Sequence, residues 1–415
     1  MKRGIFGIAA CAALESFALF ATVTVDLAEE VGRIKPTVRI GSREGRPILV
    51  YNEDNSHYFI RFASGGTVTE EGLRDYVRRI VSGGAVTHFF MCPNAMCANF
   101  DSKVMTTTWD AVRRPGRRIQ PWQNGVVRMH ESGLDAYAVW ADECRRHGVS
   151  PWLSIRMNDV HCVDDLGDAM HSEFWLAHPE FRRVPGAHGK PWEDAALDFS
   201  HREVRDYTVA FIAEALARYD VDGVELDWMR CSEHLTPGKE ASLSGCLDEV
   251  MRRVRAEADA AAKRLGHPVR VAARVISRPD GARRRGTDFV RWAREGWADW
   301  IIPCNEWYST DFNLPYAAWA SLVRDANPKA LVVPGTDNGF RKTTYRVPLS
   351  MAEYSLFADR MYREGAPGIY LFNAFDHKPE SGVWQTLVTE GLPPDRVAEK
   401  AKGVTVPDYT DSVEW

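Results

Sequence analysis

At 415 residues the chain is long enough for one large barrel or two modest domains, and its 45% hydrophobic and 26% charged residues are ordinary for a soluble globular protein and argue against disorder. A net charge of -5 and a pI near 6.2 leave no basic surface on which to argue a nucleic-acid partner. Fourteen Trp residues are many; each is a core residue first, and also a flat apolar face on which a sugar ring stacks.

The chain begins MKRGIFGIAACAALESFALFATVTV. Lys2 and Arg3 precede an apolar run, which reads as an export signal over residues 1–25 and predicts a periplasmic or extracellular protein. Glu15 interrupts the run, so no membrane span is expected. Ile8-Ala9-Ala10-Cys11 resembles a lipoprotein cleavage box, which makes a lipid anchor at Cys11 the minor alternative to plain secretion. A linker over 26–44 follows, then a barrel domain over 45–395 and a C-terminal tail over 396–415.

Short apolar runs then alternate with amphipathic stretches. ILVYN (Ile48 to Asn52) reads as a strand, and Glu70 to Gly84 as a helix with a glycine stop. Thr87 to Cys92 is a strand, Gly133 to Gly148 a helix, and Pro151 to Asp159 a strand. Arg202 to Tyr219 has helical spacing and leads into the strand VDGVELDW. A helix over Leu247 to Leu265 precedes the strand Arg270 to Val275. Thr287 to Gly296, with a Thr cap, precedes the strand Asp299 to Trp307. Ala317 to Ala326 precedes Ala330 to Asp337, and Ser350 to Gly365 precedes Gly368 to Phe375. Eight strands with helices between them predict an α/β fold: a closed (β/α)8 TIM barrel with long loops at the carboxyl end of the strands. A doubly wound sheet would need a Gly-rich phosphate turn, which is not found.

Two long connections follow strands, Pro93 to Glu131 and Val160 to Ser200, and would shape a cleft. The basic cluster Arg113 to Arg118 in the first reads as a solvated loop, with an acidic-sugar site as the alternative. The eight cysteines show no CxxC pair and no zinc spacing. They read as buried free thiols, with one disulfide if the chain is exported. No metal or cofactor is expected, and the spacing says nothing of oligomeric state.

Residues two apart in a strand point the same way, so Glu225 and Asp227 share one face while Val224 and Leu226 share the other. The aliphatic pair suits a helix layer, and the acids would point into the barrel near its mouth. Two buried carboxylates are costly unless paired or functional. Close acids also push their pKa values apart, which lets one donate a proton while the other stays ionised. The alternative is that both are paired with Arg156, Arg230 or Arg274 and only hold the barrel. Other strand ends supply Arg156, Asn158, Asp159 and His161; Asn305, Glu306, Trp307 and Tyr308; Asp337 and Asn338; and Asn373 and Asp376. Acids, amides and aromatics together suit a polyol ligand. Singly, Asp159 reads equally as a helix cap, His161 as a satisfied loop histidine and Trp307 as core.

TVAFIAEALARYDVDGVELDWMR, the preceding LDFSHREVRDY, and SIRMNDVH resemble the bacterial family-10-like glycosyl hydrolase domain. The resemblance covers roughly Pro47 to Phe375 and implies a (β/α)8 barrel that cleaves sugars, with its key acid at Asp227. DGVELDW is also similar to the chitinase signature, whose final catalytic glutamate is replaced here by Met229, a side chain that cannot donate a proton.

The expected activity is therefore glycoside hydrolysis of an oligo- or polysaccharide by two carboxylates. Asp227 is expected to be the nucleophile or base and Glu306 the general acid. Glu225 is held as reserve acid or as a residue that tunes Asp227, because the two lie about 6.6 Å apart along one strand and at different depths. Asp337 is the fallback acid. Arg156, Asn158, Asp159, His161, Arg230, Arg274, Asn305, Asp337 and Asn373 are expected to line the pocket, with Trp228, Trp307 and Tyr308 stacking on sugar. The rival expectation is a carbohydrate-binding barrel without catalysis. A Cys-dependent hydrolase using Cys162 or Cys231 ranks below both.

Overall fold

Strands fall where apolar runs meet short turns. The computed structural model describes residues 46–305, 309–342 and 345–409. The expected export signal, the linker to residue 44, Cys11, Glu306, Trp307, Tyr308 and the end of the tail lie outside the described residues. The strands are β1 (Ile48–Glu53), β2 (His88–Met91), β3 (Ser150–Arg156), β4 (Gly223–Asp227), β5 (Arg270–Val275) and β6 (Trp300–Pro303). They continue with β7 (Leu331–Val332), β8 (Gly335–Thr336), β9 (Gly339–Lys342), β10 (Tyr345–Pro348) and β11 (Gly368–Leu371). β9 and β10 form a separate antiparallel hairpin that the sequence reading lacks.

The other nine form one parallel sheet. β1 to β7 pair in chain order, and β11 returns beside β1. β7 and β8 are two halves of the single expected strand, divided at Val333-Pro334. Proline has no N–H to give a ladder, and the division changes partners: β7 bonds β6 and β8 bonds β11. The Pro334 carbonyl still accepts the Tyr370 N–H at 2.9 Å. The ring of eight is thus closed, and an open doubly wound sheet is excluded.

Period-two alternation sorts the side chains. Leu49, Phe89, Leu153, Val224 and Leu226 face outward and join the helices in the larger core. Val50, Phe90, Trp152, Trp300, Ile302 and Tyr370 fill the inside. The amino end of the ring is plugged by rings: Phe90 stacks on Trp152 at 4.8 Å, Trp152 leans on Trp300 at 4.8 Å, and His88 meets Trp300 at 4.9 Å. Gly223 makes room for this plug, because a Cβ there would lie 2.5 Å from the Trp152 ring. Among the described residues the interior therefore opens at the carboxyl end.

The helices follow from caps and apolar stripes. Glu70–Val81 starts where the Thr69 hydroxyl accepts the Gly72 N–H, and buries Leu73, Tyr76, Val77, Ile80 and Val81 on one face. The helix expected from Leu247 begins earlier, spanning Glu240–Leu265, and stops at Gly266 with φ 76°. Phe289–Arg294 is capped by Asp288, not Thr287, whose hydroxyl instead donates to the Ala282 carbonyl at 2.6 Å. Helix Pro394–Lys400, near the chain's end, buries Val397.

The two long connections are structured and joined. Helices Thr108–Arg113 and Pro121–Glu131 lie in the first, and Glu173–Ala177 in the second. Arg118 exchanges backbone bonds with the second connection at Gly167 and Ala169, and its guanidinium pairs with Asp165 and Asp168, both at 2.8 Å. The basic cluster is thus solvent-exposed at Arg113 and Arg118, and it also clasps the two loops together.

Candidate active site

The carboxyl mouth is built from residues in register. Asp227 at the end of β4 sits beside Arg156 of β3 and Arg274 of β5. In the layer beneath, Glu225 sits beside Ser154 and Ala272. Parity therefore turns both acids inward, as expected.

Asp227 is 2% exposed, and three donors hold it. Its Oδ2 accepts from Arg274 at 2.7 Å, and Oδ1 accepts the backbone N–H groups of Met229 and Arg230 at 3.1 and 2.9 Å. Arg274 lies flat over Phe372, its Cζ 3.6 Å from the ring centroid, and donates to the Asn305 carbonyl at 3.1 Å. This planar cation on an aromatic face, bonded to a carboxylate, is geometry suited to Arg and not to Lys. Of the three arginines named as partners, Arg274 is the one that pairs with the Asp227 carboxylate.

Glu225 is fully buried. Its Oε1 accepts from Ser154 Oγ at 2.6 Å and from the Tyr370 hydroxyl at 3.1 Å, and Asn52 Nδ2 donates to Ser154 Oγ at 3.1 Å. Oε2 has no partner among the described residues. Burial, then the Asp227 charge, push the Glu225 carboxyl up to about 8, against Arg274 and the two hydroxyls. These surroundings favour its protonated form, and they make it a sealed-in neighbour of Asp227 and not an accessible acid.

Around the rim, Arg156 bonds Asp159 at 2.7 Å and pairs with Asp54, which follows β1. Asp159 also accepts the His161 ring at 2.7 Å. Burial opposes ionisation of Asp54 and Asp159. For Asp54, Arg156 and Arg230 outweigh it and hold the carboxyl at about 2; for Asp159, His161 and Arg156 hold it well below the carboxylate range. Asp376 behaves oppositely. It is exposed, yet partial desolvation and the nearby charges of Asp54 and Glu53 raise its carboxyl, with His57 and Arg230 opposing. Arg230 joins the two sides, since its N–H binds Asp227 while its guanidinium acts on Asp54, Asp159 and Asp376. His57 completes this edge: its Nδ1 meets Glu53 at 2.8 Å and Tyr76 at 3.1 Å, and its ring stacks on Phe375 at 4.5 Å.

Arg156, Asp159, His161, Asp227, Arg230 and Arg274 are thus gathered at one mouth. Asp337 is fully buried, its Oδ1 accepting the Asn338 N–H, and Asn373 stands half-buried on the rim in the left-handed region at φ 55°. Asn158 is a tie: it bonds both backbone groups of Leu197 and the Glu233 carbonyl. Asn305 is another, accepting the Ser277 N–H at 2.9 Å. Trp228 is not brought to the mouth. It is 1% exposed in the outer shell, edge-on to Phe199 and His234, with Met251 Sδ accepting its N–H at 3.4 Å, so no sugar reaches it. Met229 is likewise buried. Cys162 has a thiol pushed up to about 11, by burial and then Asp168, which makes it a poor nucleophile. All seven described cysteines are free thiols.

Asp54 was missed by the sequence reading. The signal was present, since Val50 and Asn52 face inward and Asp54 continues their parity.

The chain matches no protein-family model and no curated protein. Solved structures that resemble it include the galactosidase domain of the alpha-galactosidase-sucrose kinase AgaSK, at 14% identity and TM-score 0.45, covering 84% of this chain and 42% of that one. Another is the PgaB (BpsB) glycoside hydrolase domain from Bordetella bronchiseptica, at 10% identity and TM-score 0.49, covering 83% and 97%. A third is a glycoside hydrolase family 18 N-acetylglucosaminidase from Paenibacillus barengoltzii, at 11% identity and TM-score 0.43, covering 84% and 100%. The chain spans about two fifths of the length of the galactosidase chains.

Proposed function

We propose that this protein is a glycoside hydrolase of the family-10-like kind, acting at the carboxyl mouth of its barrel. The observation that carries the reading is the gathering of carboxyls from separate strand ends around Arg230, with opposite proton affinities. Asp54 and Asp159 are held ionised, while the exposed Asp376 keeps its proton more tightly. Cleavage of a glycosidic bond needs one carboxylic acid to protonate the leaving oxygen and one carboxylate to attack or to activate water. Asp227 takes the second role, its orientation fixed by Arg274 and two backbone N–H groups. Glu306 is the general acid that the sequence points to, and Asp376 is the described carboxyl whose surroundings suit the same task.

The test is hydrolysis of a glycan panel by the wild type and by Asp227→Asn, Glu306→Gln and Asp376→Asn. Asp227→Asn and one of the acid variants should each lose turnover by orders of magnitude. Full activity in Asp227→Asn overturns the assignment. A second reading, a sugar-binding barrel without catalysis, is favoured by one observation: both Asp227 oxygens are already engaged and the group is almost wholly buried. Glycan binding without any product would select it.

A further inference from the structure

A groove of about 420 Å³ opens among the loops that follow β3, β4 and β5. Arg183, Glu193 and Asp194 line it from the first loop, Glu233 and Glu240 from the segment after β4, and Arg285 from the third. Of the three arginines that line it, Arg284 is exposed and pairs with Asp280, while Arg183 and Arg285 are nearly buried and locked in place. Arg183 donates to the Leu235 carbonyl at 2.8 Å and the Glu193 carbonyl at 3.1 Å. Arg285 donates to Ser232 Oγ at 2.9 Å and to the Glu233 carboxylate at 3.1 Å. Carboxylates crowd the groove alongside the guanidiniums, which disfavours an anion. Fixed donors interleaved with acceptors are what neighbouring hydroxyl groups require, since each hydroxyl both gives and takes a hydrogen bond.

The short helix Trp192–Ala195, which carries Glu193 and Asp194 into the groove, begins with the one exposed tryptophan among the described residues. Trp192 is 41% exposed, and Lys190 Nζ lies 5.1 Å from its ring centroid. A sugar ring presents a face of C–H groups to such an indole.

The groove is tied to the mouth. Ser232, which fixes Arg285, follows Asp227 by five residues, a span of at most about 18 Å. We propose that this groove is a distal subsite for a neutral polyhydroxylated chain, an oligosaccharide that lies over Asp227 at one end and on the Trp192 side at the other. The proposal rests on the glycosidase reading for its position, and it adds chain-length selection: a single sugar fills the mouth alone, while a longer chain engages both.

The test compares Trp192→Ala and Glu193→Gln, both at exposed positions, with the wild type on gluco-, N-acetylgluco- and galacto-configured ladders from disaccharides upward. The longer oligomers should show KM raised about five- to tenfold per lost contact, with kcat and the disaccharide KM unchanged. Equal KM values for variant and wild type at every length overturn the subsite. Calorimetric binding of the same ladders, with oligogalacturonate as the charged control, separates this outcome from failure of the glycosidase reading. If no ladder is cleaved but length-dependent binding is lost in Trp192→Ala, the groove stands and the enzyme reading falls. Binding unchanged in Trp192→Ala, or preference for oligogalacturonate over every neutral ladder, overturns the groove.

Discussion

Replacing Glu225 by Gln tests whether a proton is stored inside the barrel. A carboxyl whose pKa is raised in the folded state binds its proton more tightly there. Its contribution to stability is full below the unfolded value of about 4.3 and is lost as pH rises through the folded one, at about 1.4 kcal/mol per pH unit inside that window. For Glu225 the folded value is about 8, so the window spans the whole neutral range. Gln cannot ionise, and its carbonyl can still accept from Ser154 and Tyr370. Its Nε2 would occupy the place of the partnerless Oε2 and leave a buried donor unsatisfied, which costs about 1–3 kcal/mol. The variant should therefore be less stable than wild type in acid, by about that amount, and more stable in mild alkali, with the curves crossing between. Urea unfolding of both proteins across the window reads this directly. A difference that stays constant with pH would falsify the buried proton and return Glu225 to an ordinary ionised carboxylate.

Arg274→Met leaves Asp227 buried without its counter-charge and should cost about 3–5 kcal/mol by denaturant unfolding, with part recovered in the Asp227→Asn/Arg274→Met double variant. Gly223→Ala drives a methyl into the Trp152 ring and should cost about 1–3 kcal/mol with little change at the mouth, which a melting curve measures. Burial resists charging His57, but Glu53 outweighs it and raises the imidazole; its stability contribution is full below about 6.5 and lost as pH rises through the folded value. An NMR titration should show the His57 ring titrating lower in Glu53→Gln than in wild type. If Asp376 supplies the proton, Asp376→Asn should abolish the alkaline limb of the kcat/KM profile, and an unaltered limb would leave that task to Glu306.

The barrel was legible because buried parallel strands leave apolar runs of the right length, and Arg270–Val275 was placed to the residue. The exchange of partners at Pro334 was not, because the run ALVVPGTD is continuous in apolar character and only pairing divides it. The small helices of the long loops were missed for a related reason: they are capped and packed against loop partners, so no long stripe announces them. At the mouth, alternation placed Glu225 and Asp227 correctly. The same rule, carried one residue further, turns Trp228 outward, and the expectation that it would meet sugar overrode that rule. Asp227 pairing with Arg274 lies beyond any single-strand pattern, since it depends on the register of β4 against β5.

Among the described residues, the tryptophan plug gives the barrel a single doorway. Whatever reaches Asp227 must enter by the carboxyl mouth, and every fragment must back out by the same route. Traffic is then by exchange and never by flow-through, so the occupant of the rim sets the pace for arrival and departure alike.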